Sequence, residues 1–284
     1  MRLVMTLLVR DEESILKENI AYHLSRGIDF IIATDNLSVD STPDILRGYE
    51  RKGVLKYLFE PSDDYSQDLW VTRMAQMAAT EFKADWIIHA DADEFWWIEN
   101  SKSIKQVLRA VPATLDGLLV SRYNFLPGNE FSDDMPFYEQ SVYRDTCSTN
   151  PLGNPLPPKV CHRGSAGVHV SQGNHDFSLP RRQARVTESA DLSIFHFPYR
   201  GYANFRNKIR TGGAAYERNT RLPHDIGRTW RELYSKEQHG VLREYFMGLV
   251  DGGGSAEQSS GQGSLVRDTR LARYLNRLKS SGSL

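Results

Sequence analysis

The sequence predicts an α/β fold, a mostly parallel central sheet with helices on both faces. Unbroken apolar runs such as Leu3–Val9 read as strands covered on both sides. Between them lie segments whose apolar residues recur every four positions, one stripe of a helix. The two kinds of segment alternate from the N-terminus to about residue 125, and acidic residues gather just after the strand-like runs.

Taken in order, Leu16, Ile20 and Leu24 form the first helical stripe, with Gly27 where a C-terminal cap belongs. Residues 30–33 read as the second strand. Thr42 followed by Pro43 starts a helix, because proline at the first helical position loses no needed hydrogen bond. Leu55–Phe59 gives a third strand, and residues 69–82 a helix with Trp70, Met74, Met77 and Ala78 inward as core. A fourth strand covers residues 86–90, with His89 inside it as a core residue. A short helix at Ile104–Ala110 precedes a fifth strand at 117–123. Residues 124–190 are dense in Pro, Gly, Asn and Asp and read as long loops with short strands. Helix is expected from Phe195 to Arg210 and again over 229–249. Gly, Ser and Gln make 252–263 a flexible linker. Leu271, Leu275 and Leu278 then share one face of a last amphipathic helix whose other face is basic. The expected organisation is one domain over 1–250, a linker at 251–264 and a helix and tail at 265–284. The tail beyond Gly252 is expected to be dispensable for the chemistry.

Charge and cysteine content narrow the class. The 35 basic residues nearly cancel the 36 acidic ones, giving a net charge of −1. That removes the whole-molecule attraction expected of a nucleic-acid binder. Cys147 and Cys161 form no C-x-x-C pair and read as free thiols of a reducing cytoplasm. A disulfide, or a zinc site with His162 and His169, is the alternative, although the spacing matches no common zinc module. The apolar residues 1–9 are followed at once by Arg10-Asp11-Glu12-Glu13, without a cleavage site for a signal peptide. No apolar run approaches the ~20 residues that span a bilayer. A cytoplasmic protein is expected, with peripheral contact at the inner membrane face left open.

Ligands of open parallel sheets gather beyond the carboxyl ends of the strands. Arg10, Asp11 and Glu12 follow the first strand. Asp35 and Asn36, with Ser38 and Asp40, follow the second, and Asp91, Asp93 and Glu94 follow the fourth. Three acids within four residues repel one another, and a divalent cation resolves that conflict. Oxygen-only ligands suit Mg²⁺ or Mn²⁺, which commonly take one or two carboxylates plus substrate phosphates. No glycine-rich phosphate loop is present, so a metal is the expected means of holding a diphosphate. Taken alone, Asp91-x-Asp93 reads more readily as a solvated acidic turn than as a metal site.

The combination is more specific. Leu7 to Glu12, Thr34 to Thr42, Asp85 to Phe95, and His196-Phe197-Pro198-Tyr199-Arg200 with Phe205 and Lys208 resemble the glycosyltransferase family 2 superfamily. Within it, the likeness is to a bacterial branch carrying an Asp-x-Asp-Glu-Phe stretch, and it covers residues 1–215. The resemblance implies a GT-A fold, with 1–125 as the nucleotide-sugar-binding half and 126–250 as acceptor-side loops and helices. It implies that Arg10, Glu12, Asp35, Asp91, Arg200 and Lys208 hold the nucleotide, Asp35 contacting base or ribose. Asn36-Leu37 stands where the family turn usually reads Asp-Gly. Asp91 and Asp93 correspond to the metal acids, and His196 to a further metal or diphosphate contact. His175 competes for that last role, and Arg210 is a further candidate for diphosphate oxygens. Inverting transfer needs a carboxylate base on the acceptor side. Asp176, beside His175 in a tight turn, is the candidate, whereas Asp133 and Asp134 beside Pro136 read as an exposed loop.

The implied activity is transfer of a sugar from a nucleotide-diphosphate sugar, with a UDP-sugar as the expected donor, to a carbohydrate or glycoconjugate hydroxyl, aided by Mn²⁺ or Mg²⁺ and inverting. Two alternatives are a nucleotidyltransferase, against which the acidic loop after the first strand counts, and a non-catalytic sugar-binding module on the same fold.

Overall fold

A computed structural model describes residues 1–100, 102–127, 132, 135–254, 265–282 and 284. Asp133 and Asp134 lie outside the described residues. The chain forms two compact units. Met1–Ser62, Ser66–Arg122 and Pro157–Ile194 make the first; Asp63–Tyr65, Tyr123–Leu156 and Phe195–Leu284 make the second. The first unit's long N-terminal stretch ends at Arg122, and the chain returns to that unit for Pro157–Ile194.

The chain opens β1 (Leu3–Val9), α1 (Glu13–Ser25), β2 (Phe30–Asp35), α2 (Thr42–Arg51), β3 (Leu55–Phe59), α3 (Gln67–Thr80) and β4 (Trp86–Asp91). Next come β5 (Glu94–Ile98), α4 (Ile104–Ala110), β6 (Gly117–Val120), β7 (Arg122–Leu126), α5 (Phe137–Gln140) and β8 (Tyr143–Asp145). Then follow β9 (Lys159–Arg163), β10 (His169–Val170), a 3-10 turn (Gln172–Asn174), β11 (Phe177–Ser178), β12 (Val186–Glu188) and β13 (Leu192–His196). The chain continues through α6 (Tyr202–Arg218), α7 (Arg228–Gln238), α8 (Leu242–Gly254), β14 (Leu265–Arg267) and α9 (Arg270–Ser280).

The first unit is built on a sheet ordered β12-β6-β9-β4-β1-β2-β3. Its pairings are parallel except those of β9, which runs antiparallel to both β4 and β6. The unbroken apolar character of β1 follows from cover on both faces. Val4 packs with Val71, Met74, Ala75 and Ala78 of α3. Leu3, Met5 and Leu7, which alternate with it, are equally buried on the other face. The α4 helix begins at a capping box, Ser103 accepting from the Gln106 N–H while the Gln106 side chain accepts from the Ser103 N–H.

In the second unit β8 pairs antiparallel with β7 on one side and β14 on the other. Phe205 and Ile209 of α6, Leu233 of α7, and Leu242 and Phe246 of α8 share one core with Tyr199. The close approach of α7 depends on Gly212, where a Cβ would stand 2.5 Å from the Trp230 ring. Leu271 and Leu275 bury one face of α9, and the Arg270 guanidinium lies 5.0 Å from the Phe195 ring centroid.

Several local expectations change. The strand expected at 117–123 is broken at Ser121 into β6 and β7. β5, an aromatic run that is wholly buried, was not anticipated. The short strands expected within 124–190 are present, but one of them, β9, lies in the middle of the main sheet. Phe195 lies within β13 instead of starting a helix, and α6 begins only at Tyr202, after Pro198 and Gly201. α8 runs to Gly254, and the rest of the expected linker, 255–264, lies outside the described residues. Cys147 and Cys161 are free thiols, the second buried, with its pKa pushed up to about 12 by burial. Among the described residues no helix is long and apolar enough to cross a membrane.

Candidate active site

Strand register brings two of the expected acids to one sheet edge. β1 lies between β4 and β2, and its last residues pair Leu8 with Asp91 and Val9 with Asp35. Asp35 is buried and pre-oriented: one carboxylate oxygen accepts from the Ser38 N–H (3.1 Å), the other from the Tyr57 hydroxyl (3.1 Å). Burial and the Asp35 charge together raise the Tyr57 pKa, so the phenol keeps its proton. Leu37, at φ 61°, takes a left-handed conformation more usual for the glycine of the family turn. Asn36 donates from its side chain to the carbonyls of Glu60 (3.1 Å) and Ser62 (2.6 Å), fixing the loop after β3.

The loop after β1 is latched to the same turn. The Asp11 N–H donates to the Ser38 hydroxyl (2.9 Å), and its carboxylate accepts from the Val39 N–H (2.8 Å). Glu12 is buried, its carbonyl accepting the Ile15 and Leu16 N–H groups that open α1. Arg10 is half-buried between β1 and this loop.

After β4 the acids lie at different depths. Asp91 is half-buried, whereas Asp93 and Glu94 are buried. The turn itself is held from α1, where the Asn19 amide donates to the carbonyls of Ala92 (2.9 Å) and Glu94 (2.8 Å). Two cations meet the carboxylates. The Lys159 Nζ stands 2.7 Å from Asp91 Oδ2 and 3.3 Å from Glu94 Oε1, and the Arg122 Nη1 stands 3.1 Å from Glu94 Oε1. Lys159 is only 1% exposed. A carboxylate buried without such partners would cost several kcal/mol, on the order of the stability of many domains. Gln67, at the start of α3, donates to Asp91 Oδ1 (3.4 Å) and accepts from the Gly173 N–H (3.1 Å). The 3-10 turn is thereby tied to the acids.

His175 joins this cluster. Its Nδ1 donates to the Pro158 carbonyl (2.8 Å). Burial first, then the charges of Lys159 and Arg122, push its pKa down to about 3. The ring is therefore neutral, and Nε2 is left as an acceptor. Asp176 is exposed, with one carboxylate oxygen accepting from the Phe177 N–H (2.7 Å). His89 is the core residue expected, bonded through Nδ1 to the Thr6 hydroxyl (2.7 Å) and held neutral by burial.

The remaining site candidates belong to the second unit. His196 is half-buried, with Nδ1 2.8 Å from the Asn124 side-chain oxygen. Arg200 is buried and donates to the Phe197 carbonyl (2.9 Å). Lys208 is half-buried on α6 and Arg210 exposed.

Among the described residues no three His, Cys, Asp or Glu side chains converge to hold an ion. Asp91 Oδ2 meets Lys159, and Glu94 Oε1 meets both Lys159 and Arg122. As placed, those two oxygens are poor ligands for a resident divalent ion. Lys159, Arg122 and Gln67 were missed in the sequence. The only signal was a lysine opening the run Lys159-Val160-Cys161 straight after Pro157-Pro158.

A mostly parallel sheet with acids in the loops at its carboxyl edge defines an α/β fold of the kind whose ligands gather beyond the strand ends. The chain belongs to glycosyltransferase family 92, whose family model matches residues 5–229, from β1 to the first residues of α7. The glycosyltransferase class expected from the motifs thus stands, under family 92. None of the curated proteins matches the sequence. Solved structures similar to the chain include S. aureus TarS 1–349 in complex with UDP-GlcNAc, at 11% identity and TM-score 0.46, covering 99% of this chain and 92% of that one. HddC from Yersinia pseudotuberculosis aligns at 10% identity and TM-score 0.38, over 69% and 93% of the two chains. Glucosyl-3-phosphoglycerate synthase from Mycobacterium tuberculosis, in complex with Mn²⁺, UDP and glucosyl-3-phosphoglycerate, aligns at 12% identity and TM-score 0.30, over 43% and 44%. All three likenesses are remote.

Proposed function

We propose that this member of family 92 transfers a sugar from a nucleotide-diphosphate donor, a UDP-sugar, to a hydroxyl of a carbohydrate or glycoconjugate. The observation that carries the reading is the register placing Asp35 and Asp91 on either side of the end of β1. Asp35, held by Ser38 and Tyr57, is suited to accept from the ribose or base, with Arg10 and Glu12 in the loop beside it. Lys159 and Arg122 supply positive charge where the diphosphate leaves, and preorganised charge of this kind stabilises the transition state without solvent rearrangement. In the reaction the acceptor oxygen bonds to the anomeric carbon, the bond from that carbon to the diphosphate breaks, and the acceptor proton passes to a carboxylate. Asp176 is the proposed base and inversion the proposed outcome. His196, Arg200 and Lys208 are proposed as further diphosphate contacts. A family 2-like GT-A active site and a cytoplasmic setting, with peripheral contact at the inner membrane face, belong to the same reading. Divalent metal use rests on the three acids crowded after β4 and on the motif resemblance.

The test is incubation with a panel of nucleotide sugars and simple saccharide acceptors, with and without Mn²⁺. Release of nucleoside diphosphate, lost in Asp35→Asn, supports the reading. Pyrophosphate exchange would show a nucleotidyltransferase, and silence on every donor a non-catalytic module.

A further inference from the structure

The cluster after β4 has a property that local sequence does not show, because its cations come from distant strands. Lys159 opens β9, which is paired on both sides: Cys161 stands opposite Ile88 of β4 and Leu118 of β6, and Lys159 itself opposite Val120. The lysine backbone is thus fixed inside the main sheet, and its side chain is almost wholly covered. Its ammonium reaches both Asp91 and Glu94, while Arg122 reaches Glu94 from a third direction. Two paired carboxylates face two cations, and neutral His175 adds no charge. Each bond is short and at least partly shielded from water, where ion pairs weaken least with salt.

We propose that Lys159 is the standing cation of the acidic turn, so that a divalent ion reaches Asp91 only by displacing a buried ammonium group. Mn²⁺ and Mg²⁺ bind carboxylate oxygen at about 2.0–2.2 Å. The Lys159 Nζ already stands 2.7 Å from Asp91 Oδ2. An ion on that oxygen would lie within a few ångströms of a positive charge that has little room to withdraw. Lysine here supplies Asp91 and Glu94 with the positive charge that the motif assigns to a metal. The inference rests on the placement of these side chains and does not depend on the sugar-transfer reading.

The experiment is a titration of Mn²⁺ alone, read by loss of the free-ion electron paramagnetic resonance signal, on the full chain without nucleotide. The wild-type chain is expected to bind Mn²⁺ weakly, with Kd above roughly 1 mM. Lys159→Met keeps the apolar stem and removes the charge; it is expected to gain one site at least about tenfold tighter, and Lys159→Met with Asp91→Asn to lose it. Lys159→Arg keeps the charge and is expected to stay weak. A folded Lys159→Met that gains nothing overturns the proposal. Should that variant not fold, the wild-type chain still decides: one Mn²⁺ bound with Kd below about 50 µM and lost in Asp91→Asn overturns it, whereas weak binding indifferent to Asp91→Asn supports it. Catalytic activity enters neither arm, so failure here and failure of the sugar-transfer reading are separate results.

Discussion

Residues 265–280 look in the sequence like a detachable tail, yet they close the second unit. β14 adds to β8, pairing Leu265 with Asp145, Val266 with Arg144 and Arg267 with Tyr143. The Asp268 N–H donates to the Val142 carbonyl (2.7 Å), and its carboxylate meets Arg144 (3.2 Å) and Arg270 (2.6 Å). Leu271 and Leu275 are 1% and 0% exposed. Removing a fully buried leucine side chain costs about 2–5 kcal/mol, transfer and cavity together. Leu275→Ala is therefore expected to destabilise by about 3 kcal/mol. Loss of the whole segment removes both leucines, uncovers the surface they pack against and opens the β8 edge, at least about 5 kcal/mol against the 5–15 typical of a domain. A chain ending at Asp251 should then lose the cooperative transition of the second unit. Urea denaturation checks this, with Asn276→Ala on the exposed face of α9 as the control. Should Leu275→Ala stay within about 0.5 kcal/mol of wild type, or the shortened chain melt cooperatively, the reasoning fails.

Acid should weaken the fold through its buried imidazoles. His23 and His162 are lowered by burial from 6.5 to about 4. Below pH 6.5 the unfolded chain binds protons that the native chain refuses until about pH 4. Stability therefore falls as pH falls across that window, by up to about 1.4 kcal/mol per pH unit for each group, and neither contributes above it. Urea midpoints between pH 7 and 4.5 measure the slope, which His23→Gln should reduce; a flat profile contradicts the assignment. Gly173→Ala should destabilise by about 1–3 kcal/mol in a thermal melt. Its φ is 78° and a Cβ would stand 2.5 Å from His175 Nε2, so an unchanged melt would mean the turn is not held as described. Asp176→Asn should cut turnover by about 10²–10⁴ without changing stability, since the side chain is exposed and Asn can still accept from Phe177. Full activity in that variant removes Asp176 as the base.

What could be read in the sequence was what adjacent residues determine. β1, β2 and β4 announce themselves because parallel strands buried on both faces are apolar throughout, and α3 because its core stripe repeats at helical spacing. The acids after these strands are equally plain. β9 is not, since Lys159–Arg163 carries charge at both ends and becomes a central strand only by pairing with β4 and β6. β5 hides in the acidic motif it completes, and Leu192–His196 hides beside a histidine and Pro198 that resemble a helix entrance. The basic face of α9 was legible, whereas the burial of Leu271 and Leu275 depends on what they pack against.

The same division explains why the acidic turn reads as a metal site in sequence, while the cations that meet two of its acids show only in the structure. Asp91, Asp93 and Glu94 are near one another because they are consecutive in a strand-end loop, and any reading of the chain sees their repulsion. Their counter-charges stand 68 residues away in Lys159 and 28 away in Arg122. They arrive by pairings that leave no local pattern. A cluster of like charges therefore establishes only that a counter-ion is required. Whether it is dissolved or covalent is decided by the strands placed next to the loop, and here β9 delivers an ammonium group within hydrogen-bond distance of two of the three acids.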